Sequence, residues 1–190
     1  MKNTTKMIAM GLFTVSLVIS GATYAQGTSK EKTVTVGGAP MYPSKNIVEN
    51  AVNSKDHTTL VAAVKAAGLV ETLSSAGPFT VFAPTNAAFD QLPKGTVETL
   101  VKPENKAQLT SILTYHVIAG KFNAKDLMEA IKKGEGKAVM KTVQGEALTF
   151  WIKDKDVYVR DSKGNDVKVT IADVNQSNGV IHVIDKVLMP

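Results

Sequence analysis

Two hydrophobic periods divide this chain. Up to about Lys137 the apolar residues recur three and four positions apart, as on one face of a helix; beyond it they alternate, as on one face of a strand. In the first part Ile47, Val48, Ala51 and Val52 predict a helix opened by Ser44. Leu60, Val61, Val64 and Ala67 predict a second, opened by Asp56 and stopped by Gly68. Leu69, Val70 and Leu73 add one short turn before Gly77-Pro78. Further helices are predicted over Val97–Val101 behind Thr96, and after Pro103 with Leu109, Ile112 and Leu113 inward. The last runs from Asn123 to Lys133 with Leu127, Ala130 and Ile131 on one face, and Gly134 stops it. Strands are predicted at Tyr115–Ile118, Ala138–Met140, Leu148–Ile152, Val157–Val159, Val167–Ile171 and Val180–Ile184, with Asn178-Gly179 as a tight turn.

One stretch fits neither period. Phe79 to Ala83 is apolar on both faces apart from Thr80, which predicts a strand buried from two sides. Pro84 lacks an N–H and ends that ladder, and Thr85 can cap a helix carrying Ala87, Ala88 and Phe89 back to the core. Helices first and a β-meander later make this an α+β domain.

The amino terminus belongs to no such pattern. Lys2 and Lys6 precede an apolar run from Met7 to Ile19, and Thr23-Tyr24-Ala25 offers the small residues of a cleavage site. Residues 1–25 are therefore expected to be a signal peptide cut before Gln26. Residues 26–41, rich in Gly, Thr, Ser and Lys, are expected to be a flexible tether, and residues 42–190 a single domain. No second long apolar run follows, so the expected product is secreted, periplasmic or extracellular, with no membrane insertion after cleavage. The chain has no cysteine, so a cysteine-linked lipid anchor is not expected and apolar burial has to hold the fold. Its net charge of +5 drops to +3 once the two leader lysines are gone, too weak to call for nucleic acid.

Candidate chemistry is sparse. His57 is expected in solvent at a helix start. His116 and His182 sit in apolar surroundings, where neutral core histidines bonded to backbone are favoured over metal ligands or a catalytic base. No Gly-x-Ser-x-Gly elbow, phosphate loop or Gly-x-Gly-x-x-Gly occurs. Asp161 to Asp166 lacks the ligand spacing of a calcium loop. Lys132, Lys133, Lys137 and Lys141 could attract acidic polysaccharide. Neither a metal, nor a cofactor, nor catalysis is expected.

Three blocks together resemble the fasciclin-like domain family: Gly77 to Phe89, Leu113 to Gly120, and Asn178 to Asp185. The shared signature residues are Phe79, Val81, Phe82, Pro84, Thr85, Phe89, Asn178, Gly179 and His182. The resemblance spans roughly Tyr42 to Pro190 and implies a β-sandwich-like wedge of two β-sheets flanked by short helices. It implies a non-catalytic cell-adhesion or extracellular-matrix role, with a protein or acidic polysaccharide as partner and the domain acting as a monomer. By the same resemblance, partner contacts would fall on Tyr115 and His116 and on an Asp-Ile pair that here reads Asp173-Val174. Asp173 is then expected to serve attachment rather than stability. The alternative reading is a carrier of a small ligand, which requires a pocket reaching His116 or His182.

Overall fold

The computed structural model describes residues 32–190; the expected signal peptide and residues 26–31 lie outside them. The described chain opens with β1 (Val34–Val36) and β2 (Ala39–Met41), then α1 (Ile47–Ala51), a 3₁₀ turn at Lys55–His57, α2 (Thr58–Ala67) and α3 (Val70–Ser74). There follow β3 (Phe79–Pro84), α4 (Asn86–Phe89), α5 (Thr96–Leu100), α6 (Lys106–Tyr115), β4 (Val117–Ala119) and α7 (Ala124–Lys133). Five strands complete the fold: β5 (Lys137–Lys141), β6 (Ala147–Lys153), β7 (Asp156–Arg160), β8 (Asp166–Gln176) and β9 (Gly179–Ile184).

The architecture is α+β, and its centre is the pairing of β3 with β9. The two run parallel in register from Phe79↔Gly179 to Pro84↔Ile184, with the short β4 antiparallel on the far side of β3. Side chains of β3 alternate between two clusters. Val81 and Ala83 join Ile181 and Val183 beneath a helical layer contributed by Leu60 and Val64 of α2 and Ile112 and Leu113 of α6. Phe82 and Ile184 point the other way, onto Leu148, Phe150, Val159 and Val167, with Leu127 and Ile131 of α7 closing that side. The rings of Phe82 and Phe150 lie 5.4 Å apart.

Both clusters can exist because β8 is bent. Its start pairs with β7 at Asp166–Lys168, while its remainder pairs with β9, with irregularities between Val169 and Ile171 and between Ile171 and Val174. Seven strands in the order β4-β3-β9-β8-β7-β6-β5 are therefore continuous in hydrogen bonding, yet form two arms that share β8 and close on Phe82. The remaining sheet is the β1–β2 hairpin.

Several elements differ from the sequence reading. The expected tether is ordered over its second half: β1 and β2 pair, and Val36 and Met41 bury in the helical cluster. Gly37-Gly38, both at positive φ (57° and 75°), make the two-residue hairpin turn that joins them. Tyr115 is the last residue of α6 and His116 its C-cap, so the strand begins only at Val117; the helical stripe of Leu109, Ile112 and Leu113 overrides the β-preference of the aromatic residue. The cap of α1 is Asn46 rather than Ser44, through a capping box with Glu49. Thr85 does cap α4, accepting from the Ala88 N–H at 3.2 Å.

Phe82 has no solvent exposure and contacts the second arm, so it tests the wedge directly. Phe82→Ala should cost about 3–5 kcal/mol in urea unfolding. A variant as stable as the parent would mean that the arms do not close on this ring.

Candidate functional site

Placement of the signature residues decides what they can do. His182 lies on β9 beside Phe82, their rings 5.6 Å apart. Its Nε2–H donates to the Phe122 carbonyl at 2.8 Å, while Nδ1 accepts from the Asp173 N–H at 3.4 Å. Thr80, the lone polar residue of β3, is buried beside them. Its hydroxyl donates to the Gly120 carbonyl at 2.7 Å and accepts from the Phe122 N–H at 2.9 Å. Asp173 completes the group: at a φ of 59° its carboxylate turns back to accept from the Ala124 N–H at 2.7 Å. That places a negative charge at the amino end of α7, where the unpaired backbone N–H groups and the helix dipole favour it. Together Thr80, His182 and Asp173 fix the loop from Gly120 to Ala124 against the central strands.

A second group ties down the carboxyl terminus. His116 donates through Nδ1–H to the Ile112 carbonyl at 2.8 Å and accepts at Nε2 from the Leu188 N–H at 3.0 Å. Tyr115 donates its hydroxyl hydrogen to the Ala147 carbonyl at 3.3 Å and accepts from the Ser162 N–H at 2.9 Å. Asp161 accepts from the Asn165 and Met189 N–H groups at 2.8 and 3.1 Å. At the other end, Asn178 accepts from the Ile47 N–H at 3.0 Å and donates to the carbonyls of Leu73 and Ser75, each at 2.8 Å. Gly179 follows because a Cβ there would stand 2.0 Å from the Phe79 carbonyl oxygen. The turn is therefore Ser177-Asn178, and Gly179 already belongs to β9.

These placements revise the expected contact residues. Tyr115, His116 and Val174 are 0%, 2% and 1% exposed, so their side chains build the interior and offer no outer contact. Asp173 is half-buried, and its carboxylate is engaged by the Ala124 N–H at the start of α7. His57 is likewise buried, not solvated: its Nδ1 lies 2.9 Å from the Ser54 hydroxyl, and Nε2 has no hydrogen-bond partner among the described residues. Sequence reasoning missed Asn50 and Gln176, whose buried amides bond to each other while Asn50 also grips the Tyr42 backbone. A polar residue on the apolar face of a short helix was the available signal.

The electrostatics agree with a structural role. Burial pushes the His116 imidazole down to about 4, and protonation would also set a new N–H against the Leu188 donor. Burial lowers His182 and His57 in the same way and raises the Tyr115 hydroxyl. At neutral pH all three histidines are uncharged. His57 and His116 border an apolar cavity of about 60 Å³ lined by α1, α2, Val81, Leu113 and Ile181. His182 does not line it. No helix among the described residues is long and apolar enough to cross a membrane.

Residues 55–190 match the model of the fasciclin domain. The chain is 48% identical over 182 residues to protein sll1483 of Synechocystis sp., covering 96% of this chain and 90% of that protein. It is 36% identical over 149 residues to transforming growth factor-beta-induced protein ig-h3 of Sus scrofa, covering 78% of this chain and 20% of that protein. Among solved structures, the FAS1 domain pair of the insect cell adhesion molecule fasciclin I superposes with a TM-score of 0.69 at 17% identity, over 85% of this chain and 59% of that one.

Two measurements check these anchors. Because the folded histidines bind protons less readily than unfolded ones near 6.5, stability should fall as pH drops from about 6.5 toward 4, by up to about 1.4 kcal/mol per pH unit for each histidine. His116→Gln should flatten that slope in urea titrations; an unchanged slope would remove His116 as a cause. Asp173→Ala should cost about 0.5–2 kcal/mol as a lost helix cap, and Asp173→Asn, which keeps an acceptor and tolerates positive φ, much less. Equal stability of all three chains would contradict the cap.

Proposed function

The chain belongs to the fasciclin domain family, and on that premise we propose that it works as a secreted, non-catalytic adhesion or extracellular-matrix module. It would act as a monomer that binds a protein or polysaccharide partner through its outer surface. The observation that carries this reading is the direction of the signature polar groups. His116, His182, Thr80 and Asn178 are buried, and each bonds to backbone of another segment, so they hold the wedge and leave no side chain poised over a reactant. The three buried histidines are neutral, and none is paired with a nucleophile and an orienting carboxylate in the geometry that acyl transfer needs. What remains for recognition is the exposed face of the strands and helices.

A small-ligand carrier has one observation in its favour, the apolar cavity beside His57 Nε2, unpartnered among the described residues. Its roughly 60 Å³ is less than half the roughly 150 Å³ of an engineered apolar cavity that takes up benzene, and the His116 nitrogens at its wall are both committed to backbone. The surface reading is therefore preferred.

A surface coated with the purified chain should retain cells of the producing organism several-fold better than one coated with an unrelated protein of equal charge. Equal retention would overturn the adhesion role. For the export step, protein recovered from outside the inner membrane should begin at Gln26; a mature product that keeps Lys2 and Lys6 would refute cleavage.

A further inference from the structure

The outward face of the β5–β8 arm carries chemistry that the anchors do not use. The strand registers place Lys137, Trp151, Tyr158 and Lys168 in one row across β5, β6, β7 and β8. Their neighbours Ala138, Phe150, Val159 and Val167 bury in the inner cluster, so this row faces away from it. The two aromatic rings lie 5.1 Å apart with planes 30° from parallel. Trp151 is the only tryptophan of the chain. The Arg160 guanidinium sits 5.8 Å from the indole centre and is pinned by two bonds to Asp166, at 2.8 and 2.9 Å. Asp166 also accepts from the Trp151 indole N–H at 3.3 Å. The aromatic pair is thus held in place, and beside it Val139 is 68% exposed.

The charges on this face are unbalanced. Both acids of the four strands' outward positions are neutralised, Asp166 by Arg160 and Asp156 by Lys168 at 2.5 Å. Lys137, Lys141 and Lys153 are exposed and form no ion pair with other described residues. The result is a row about 14 Å long, three strand spacings, with two stacked aromatic rings at its centre, a lysine at each end, and the unpaired ammonium groups of Lys137, Lys141 and Lys153 on the same arm. Two stacked rings flanked by unpaired lysines, with both strand acids already engaged, complement a ligand that is partly apolar and anionic.

We propose that this face binds a carboxylated polysaccharide, a polymer of uronic-acid sugars. The C–H face of a pyranose ring would lie on Trp151 and Tyr158, and ring carboxylates would pair with Lys137, Lys141 and Lys153. Aromatic side chains supply apolar area at low entropic cost, and flexible lysines follow an extended polymer without demanding one fixed anion geometry. Arg160, the arginine beside this row, is already engaged by Asp166, which disfavours a phosphate-binding role. This inference rests on the adhesion reading and names its partner and its face.

Electrophoresis through gels containing polygalacturonate, alginate or neutral dextran tests it with the purified chain. The two polyuronates should retard the protein and dextran should not. Trp151→Ala and the pair Lys137→Glu with Lys141→Glu should each weaken retardation at least about tenfold. Lys132→Glu with Lys133→Glu, the same charge change on α7, should leave it nearly intact. Independently of any variant's folding, the single tryptophan's emission in the unaltered chain should shift as polyuronate saturates it. No retardation, equal loss in both lysine pairs, a silent tryptophan, or tighter binding to a single-stranded oligonucleotide would each overturn the proposal. Failure here with cell attachment intact would leave the adhesion reading standing, whereas loss of cell attachment alone would remove that reading.

Discussion

Most of this molecule follows from one buried parallel contact. β3 and β9 lie side by side with a packed cluster on each face, although about one hundred residues separate them in sequence. A parallel pair cannot be closed by a hairpin, so everything from α4 to β8 has to travel out and return. The bend in β8 is what makes the return possible, because one strand serves both arms. Contacts this distant in sequence close late and at high entropic cost, which places the domain among slower-folding topologies.

The same pair explains why the interior holds so many polar side chains. A strand buried on both faces leaves its surrounding loops inside as well, and their backbone groups need partners. Thr80, His116, His182 and Asn178 answer that need, each joining backbone segments far apart in the chain. Two histidines do this with opposite tautomers, donating from Nδ1 in His116 and from Nε2 in His182. Chemistry-bearing residue types are here structural cement. The outer face of the other arm, built from aromatics and lysines, bonds within its own strands instead, as Trp151 and Arg160 do to Asp166.

How much of this could be read beforehand depended on whether a residue's role was local. The buried character of Phe79–Ala83, the cap at Thr85 and the meander were legible, since apolar runs, Pro and turn residues act within a few positions. The β1–β2 hairpin was equally local, but the Gly37-Gly38 signal lay inside a stretch whose composition suggested disorder. His57 and Gln176 were not legible, because their burial depends on segments more than twenty residues away closing over them, whereas Asn50, polar on the apolar face of α1, left a local signal. The residues with a partner-contact role by resemblance, Tyr115, His116 and Val174, proved to be interior for the same reason.

The open end of the seven-stranded ladder has one further consequence. β5 is paired on one side only, to β6, so its other side presents unsatisfied backbone groups to any passing chain. Lys137 and Lys141 bracket the exposed Val139 on that strand. Two like charges at an unprotected margin repel a second copy and discourage edge-to-edge polymerisation, so this edge is guarded by charge and not by a covering segment.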